Sequence, residues 1–199
     1  MTVEGTKRYQ GSEVVLVRHG ETDWTISGRH TSHTDVPLTE VGRRQAEQLV
    51  TRLAGRHFGV VLTSPLQRAA ETCAFAGFAG VAEPTEVAVE WDYGAYEGRT
   101  TAEIRAEVPG WSLWHDGVPE GETAAEVAQR ADGILQRVQR ADGDALVFSH
   151  GHFLRVLAAR WLGLGPENGR FFALSPAAIS ILGWEREQAV LACWNDVEI

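Results

Sequence analysis

Short apolar runs alternate along the chain with longer segments in which apolar residues recur every three or four positions. Buried strands are typically short and apolar, whereas helices that cover a sheet show a period near 3.6 residues. The short runs predict strands at 13–17, 60–63, 87–89, 145–148, 177–184 and 188–194. The periodic segments predict helices at 40–54 and 123–140, a helix that carries Arg68, and a helix that follows His150 and ends near Gly163.

The alternation of strands and helices predicts the class of fold. Such an order is typical of an α/β three-layer sandwich, with a mostly parallel sheet flanked by helices on both faces. Ser64 and Pro65 are predicted to supply a cap and a first-turn proline for the helix that carries Arg68. Residues 1–12 are expected to form a short disordered lead-in, and residues 13–199 a single domain.

Five polar side chains occupy similar places in this pattern. Each lies just past a predicted strand or in the helix that follows it: Arg18, His19, Arg68, Glu90 and His150. In open α/β sheets, ligands bind beyond the carboxyl ends of the strands. We therefore expect these five side chains to converge at one edge of the sheet.

Composition limits the partners that such a site can have. The formal net charge of −9 argues against nucleic acid or an anionic membrane, because both require a basic face. No apolar run approaches the roughly 20 residues that span a bilayer, and the N-terminus lacks the apolar core of a signal peptide. We expect a cytoplasmic protein. Lys7 is the only lysine, which excludes Walker-A and Schiff-base chemistry and leaves arginine as the available cation.

The five residues match the needs of phosphoryl transfer through a covalent intermediate. His19 can attack phosphorus if its other ring nitrogen donates to a backbone carbonyl and so fixes the tautomer. Arg18 and Arg68 can hold the phosphate oxygens, and His150 adds a positive group if it is protonated. The helix that begins at Gly151 offers further N–H donors.

Glu90 completes the set as the proton donor. It is placed to protonate the departing alkoxide and then to activate the water that hydrolyses phosphohistidine. This role requires a protonated Glu90 at the working pH, so we expect an acidic or near-neutral optimum.

Other chemistries fit the sequence less well. Neither Cys73 nor Cys193 is followed six residues later by the arginine that a cysteine-dependent phosphatase needs, and Asp142 and Asp144 precede a strand rather than follow one. The histidine pairs 150/152 and 30/33 have metal-ligand spacing, but a third partner at motif spacing is missing. We expect no metal or other cofactor.

Six motifs in order give the chain a specific resemblance. From Val14 to Leu164 it resembles the histidine phosphatase superfamily, also called the phosphoglycerate mutase-like family. The motifs are VRHGET at Val17, TDVPLTEVGRRQA at Thr34, TSPLQRAAET at Thr63, EWDYGAYEG at Glu90, GET at Gly121 and FSHGHFLR at Phe148.

The resemblance implies a role for each candidate. His19 is implied as the phosphorylated nucleophile, Glu90 as the proton donor, and three residues as the phosphate pocket: Arg18, Arg68 and His150. It also implies a substrate contact at Tyr93, an arginine at the pocket rim, Arg29, and no metal requirement. Gly151 is a further expected substrate-binding position.

Departures from the family pattern bear on the substrate. Thr25 stands where many relatives carry an asparagine, although its hydroxyl could still donate to a phosphate oxygen. His30, Ser32 and His33 replace aromatic and glycine residues common in that loop, and we count Thr25, His30 and His33 among the substrate-binding candidates. The physiological substrate stays open.

Three functions are compatible with these residues. The first is a metal-independent histidine acid phosphatase, similar to bacterial acid phosphatases and sedoheptulose-bisphosphatase-like enzymes, which hydrolyses small phosphorylated metabolites such as sugar phosphates. The second is a phosphoglycerate mutase. It is disfavoured because the mutases carry basic residues near the positions that Thr101, Trp111 and Trp114 occupy here. The third is a catalytically silent phosphate-binding module. A monomer and a homodimer both fit.

Overall fold

Six strands form one sheet in the part of the chain that the computed structural model describes, residues 11–197. The predicted lead-in lies outside the described residues except at its last two positions, and the division into a lead-in and one domain stays a prediction. The strands are β1 (Val14–Arg18), β2 (Phe58–Thr63), β3 (Glu83–Pro84), β4 (Asp144–Ser149), β5 (Ile179–Glu185) and β6 (Gln188–Asp196).

The strand order confirms the predicted α/β fold. The strands lie in the order β3-β2-β4-β1-β5-β6. The pairs β3–β2, β2–β4 and β4–β1 are parallel, whereas β1–β5 and β5–β6 are antiparallel. The sheet is therefore mixed, and its parallel half contains the strands that the helical crossovers connect.

Helices cover both faces of the sheet. The side chains of β1 alternate between the faces: Val15 and Val17 pack with Leu49, whereas Val14 and Leu16 pack with Ile134. This alternation follows from the two-residue period of a strand. The helices are α1 (Asp23–Ser27), α2 (Glu40–Arg52), α3 (Gln67–Phe75), α4 (Thr101–Glu107), α5 (Leu113–Asp116), α6 (Ala124–Val138) and α7 (Gly151–Trp161).

The predicted strand at 87–89 is wrong. The strand that pairs with β2 lies earlier, at Glu83–Pro84, and Glu86–Ala88 forms a 3-10 turn. An apolar run of three residues is too short to distinguish a strand from a helical turn. Side chains from other segments bind the carbonyl groups here instead of a strand: Ser149 donates to Ala88 at 2.6 Å, and Arg130 donates to the carbonyls of residues 87 and 89.

The predicted cap before α3 is also wrong. The helix begins at Gln67, and its N-cap residue, Leu66, makes no side-chain capping bond. Ser64 is buried, and its hydroxyl lies 2.8 Å from Nε2 of His150. A residue that resembles a helix cap in the sequence thus takes part in a contact between two crossovers.

Two glycines allow the loop after β1 to lie directly on the start of α2. A Cβ atom on Gly20 would lie 2.5 Å from the carbonyl oxygen of Gly42, and one on Gly42 would overlap the backbone of Glu21. Real Cβ atoms do not approach other atoms so closely. The backbone that follows His19 is therefore held against α2 by a contact that only glycine permits.

Replacement of Gly42 by alanine tests this contact. We expect Gly42→Ala to lower the free energy of unfolding by about 1–3 kcal/mol, because the added methyl group must displace backbone atoms. Gly133→Ala is the matched control: Gly133 is also helical, but a Cβ there has open space, so it should raise stability by about 0.5–1 kcal/mol. Urea unfolding measures both. Equal effects of the two substitutions would contradict the close-packing account.

Candidate active site

Three adjacent parallel strands bring four of the predicted residues to one edge of the sheet. Arg18 is the last residue of β1 and His19 follows it, His150 follows β4, and Arg68 lies in α3 after β2. Glu90 arrives by another route, through the loop after the 3-10 turn, so its predicted place at the end of a strand is wrong. All five side chains still converge, because this loop lies against the N-terminus of α7.

A cavity of about 250 Å³ opens at this edge. Eight of the eleven predicted site residues line it: Arg18, His19, Thr25, Arg29, His30, Glu90, Tyr93 and Gly151. Arg68 and His150 lie behind its wall, fully buried. His33 lies away from the cavity, with a largely exposed side chain 3.2 Å from the carboxylate of Asp92.

His19 has the tautomer that a nucleophile needs. Its Nδ1 lies 2.8 Å from the carbonyl oxygen of Gly20, which can only accept, so Nδ1 carries the proton. Nε2 then has a free lone pair and no protein partner among the described residues. Burial and the positive charges of Arg18 and Arg68 hold the pKa of His19 well below 6.5. The imidazole is therefore neutral and available for attack.

Arg18 lies beside His19 and is half-buried. Its Nη1 donates to the carbonyl oxygen of Leu174 at 2.5 Å, whereas its Nη2 has no acceptor among the described residues. A Cβ atom on Gly151 would lie 3.3 Å from the guanidinium carbon, so glycine there gives the cation its place against the start of α7. The free N–H groups of this arginine are positioned to bind an anion in the cavity.

Arg68 and His150 form a buried pair behind the cavity wall. Arg68 donates from Nε to Nδ1 of His150 at 3.2 Å and from its two Nη atoms to three carbonyl groups of the loop 31–34. Since arginine only donates, Nδ1 of His150 accepts, and Nε2 carries the proton toward Ser64. Burial lowers the pKa of His150 well below 6.5, and Arg68 lowers it further. His150 is neutral here and does not add the third positive charge.

Glu90 occupies the N-terminus of α7. Its carboxylate accepts hydrogen bonds from the backbone N–H groups of Trp91 at 2.9 Å, His152 at 3.0 Å and Phe153 at 2.8 Å. Two of these donors belong to the helix end that the sequence assigns to phosphate. The helix terminus therefore positions the proposed proton donor instead, which holds the carboxylate rigidly at the cavity.

Two predicted contacts with substrate have partners inside the protein. The hydroxyl of Thr25 donates to the carbonyl oxygen of Thr22 at 2.8 Å and caps α1, so its proton is not directed toward the cavity. Arg29 lies at the cavity rim with about 40% of its side chain exposed, and it donates to the carbonyl oxygen of Gly98. Both residues line the site, but Thr25 does so without a free donor.

The histidine that replaces a common aromatic residue is itself packed as an aromatic. The His30 ring lies 4.7 Å from Tyr93 and 5.6 Å from Trp111, between ring centroids. Burial lowers the pKa of His30 to about 4, although the charge of Glu97 opposes this shift. His30 is thus a neutral part of the cavity wall at physiological pH.

The structure adds cavity residues that the sequence analysis did not select. His152 and Arg155 lie three residues apart in the first two turns of α7 and both line the cavity. Arg155 stacks over Trp114 at 4.6 Å. Their spacing after His150 could have indicated them, because residues three apart share a helix face. The candidate metal pairs find no support: no group of three His, Cys, Asp or Glu side chains in residues 11–197 could hold a metal ion.

No helix between residues 11 and 197 combines the length and the apolar character that a bilayer span requires.

Comparisons with known proteins find relatives over most of the chain. A family model for the histidine phosphatase superfamily (branch 1) matches residues 14–197. The chain is 43% identical to an acid phosphatase of Mycobacterium tuberculosis, over 89% of this chain and 91% of that protein. It is 34% identical to sedoheptulose 1,7-bisphosphatase of Saccharomyces cerevisiae, over 76% and 68%. A solved Mycobacterium tuberculosis structure, 40% identical, covers 94% of this chain and 98% of its own, with a TM-score of 0.89.

The neutral state of His30 predicts a loss of stability in acid. Its pKa in the folded protein lies below the unfolded value of about 6.5, so stability is complete above about pH 6.5 and is lost as the pH falls toward 4. Between about pH 7.5 and pH 5, we expect the free energy of unfolding to fall by about 2 kcal/mol more in the wild type than in His30→Gln. Urea unfolding at both pH values tests this, with the exposed His115→Gln as control. Equal pH dependence in wild type and His30→Gln would refute it.

Proposed function

This chain belongs to the histidine phosphatase superfamily, and we propose that it hydrolyses small phosphorylated metabolites through a phosphohistidine formed on His19. The observation that carries the proposal is the tautomer of His19. A bond of 2.8 Å to the Gly20 carbonyl directs the Nδ1 proton into the backbone and leaves the Nε2 lone pair for phosphorus. The enzyme is a phosphoric monoester hydrolase.

The first half of the reaction transfers the phosphoryl group. Nε2 of His19 forms a bond to phosphorus while the bond from phosphorus to the ester oxygen breaks. The free N–H groups of Arg18 bind the non-bridging oxygens, and the positive charge of Arg68 behind the wall stabilises them further. Glu90 gives its proton to the departing oxygen, so that an alcohol leaves.

The second half returns the enzyme to its starting state. Glu90, now a carboxylate, takes a proton from water, and the water oxygen attacks phosphorus as the bond from nitrogen to phosphorus breaks. Inorganic phosphate leaves, and His19 regains its lone pair. The three backbone donors on Glu90 keep the same carboxylate at the same place for both proton transfers.

The likeness to an acid phosphatase and a sugar bisphosphatase supports a small phosphorylated substrate, with sugar phosphates as candidates. The cavity volume of about 250 Å³ suits a molecule of that size. An acidic or near-neutral optimum, a cytoplasmic location, and a monomer or homodimer belong to the same proposal. So does activity without a metal ion.

Hydrolysis is favoured over mutase activity by the wall of the cavity. A mutase must retain its phosphoenzyme while the substrate reorients, and the mutases of this family hold that substrate with basic residues near the positions of Thr101, Trp111 and Trp114. Trp111 is buried here, with its indole N–H bonded to the Gly117 carbonyl, and Thr101 lines the cavity without charge. A silent binding module is disfavoured because the proposed nucleophile, both arginines and the proposed acid are all present, each held by hydrogen bonds at or behind the cavity wall.

Removal of the nucleophile tests the proposal directly. We expect His19→Ala to lower phosphate release by at least about 10³-fold across a panel of phosphorylated metabolites, because the covalent route is lost. Release by the wild type should persist in EDTA, and His115→Ala, an exposed substitution, should leave it unchanged. A coupled assay of 2- and 3-phosphoglycerate interconversion covers the mutase alternative. Full activity of the His19→Ala variant would contradict the mechanism, and so would loss of wild-type activity in EDTA.

The acid role of Glu90 predicts a dependence on the leaving group. Glu90→Gln should reduce kcat on an alkyl phosphate by about 10²- to 10⁴-fold, because the poor leaving group needs a proton. The loss should be much smaller with p-nitrophenyl phosphate, whose phenolate leaves without one. Steady-state rates on both esters provide the measurement, and equal losses on the two would exclude proton donation by Glu90.

A further inference from the structure

His152 is the second residue of α7 and lies in the cavity wall next to Glu90. Its backbone N–H donates to the Glu90 carboxylate at 3.0 Å. Its ring packs against Trp114 and Tyr93, with centroids 5.3 and 5.8 Å away, so it has little freedom to turn. The residue is therefore held on the side of the cavity from which the proton reaches the leaving group.

A hydrogen bond to Tyr93 determines which nitrogen of His152 carries the proton. The Tyr93 hydroxyl lies 2.6 Å from Nδ1 of His152. If Nδ1 donated, the buried Tyr93 proton would have no acceptor among residues 11–197, and a buried donor without a partner is unfavourable. Tyr93 therefore donates, Nδ1 accepts, and Nε2 carries the proton.

The charge state supports the same assignment. Burial and the positive charges of Arg155 and Arg18 lower the pKa of His152 well below 6.5, and the nearby His30 acts in the same direction. Burial raises the pKa of Tyr93 well above 10, so its hydroxyl keeps its proton. The pair is neutral, and the Nε2–H group has no partner within the described residues.

We propose that His152 determines specificity, its Nε2–H donating to an oxygen carried by the leaving group, with Tyr93 as the positioning residue that fixes the donor. This proposal rests on the proposed function. Because the backbone of His152 binds Glu90, the proposed proton donor, we assign the Nε2–H donor to the alcohol portion of the substrate and not to the transferred phosphoryl group. The favoured class is phosphate esters of polyols or hydroxy acids, which carry an oxygen near the ester, over plain alkyl phosphates.

Arg155 adds a second polar side chain to the cavity wall beside the Nε2–H donor of His152. It lies three residues after His152 on the same helix face, and Gly169 and Trp114 hold its guanidinium. Arg155 only donates, and Nδ1 of His152 is already bound to Tyr93, so an apolar alkyl group would leave the Nε2–H donor of His152 without a partner.

The test compares two esters that differ by hydroxyl groups alone, glycerol 1-phosphate and propyl phosphate. We expect the wild type to favour glycerol 1-phosphate by about 10-fold or more in kcat/KM, as one hydrogen bond to the leaving group allows. His152→Asn keeps an acceptor near Tyr93 but is too short to carry a donor to the Nε2 position, so the preference should fall toward one. His152→Gln carries an amide N–H group near that position and should retain more of it.

Two further measurements separate a specificity role from a structural one. The inhibition constant of inorganic phosphate, which has no leaving group, should be unchanged in His152→Asn. Tyr93→Phe should lower the preference by about 2-fold, since the unbound ring can place its proton on either nitrogen and only one of the two tautomers carries the donor. An equal loss on both esters in His152→Asn, with the ratio intact, would overturn the proposal.

The wild type distinguishes this inference from the underlying function. If the wild type hydrolyses neither ester, or if the His19→Ala variant still hydrolyses both, the proposed function fails. If it hydrolyses both through His19 at equal efficiency, the function stands and only the role of His152 is refuted.

Discussion

The hydrogen bond from His19 to the carbonyl oxygen of Gly20 is the interaction on which the site depends. It fixes the proton on Nδ1 and leaves the lone pair on Nε2, while burial and the charges of Arg18 and Arg68 keep the imidazole neutral. The turn that supplies this carbonyl lies against Gly42 of α2, where a side chain does not fit. The tautomer of His19 therefore depends on the close packing of this turn against α2.

The buried guanidinium of Arg68, close to the proposed nucleophile, needs hydrogen-bond acceptors that do not cancel its positive charge. Arg68 receives it from backbone carbonyl oxygens of the loop 31–34 and from the neutral His150, not from a carboxylate in direct contact. Glu97 binds the same loop from its N–H side, at Ser32 and Thr34. The guanidinium thus keeps its charge for the phosphate oxygens while its N–H groups are satisfied.

Residues close together in the sequence were the easiest to predict. Arg18 and His19 directly follow a strand whose apolar pattern is unambiguous, and His150 follows another, so the parallel sheet brings them together as expected. Glu90 was identified by its chemistry but placed on a strand that does not exist. The apolar run of three residues before it was too short to distinguish a strand from a helical turn. The side chains that hold this loop, Ser149 and Arg130, come from distant segments.

By itself, the sequence determined the α/β class and the family resemblance and indicated the proposed reacting groups, because these depend on local periodicity and on motifs within a few residues. Only the tertiary structure decided the proton positions. His150 is neutral because Arg68 donates to it, the end of α7 binds Glu90 rather than phosphate, and Tyr93 sets the tautomer of His152. Each depends on a contact between segments at least 59 residues apart, and no local pattern encodes such a distance.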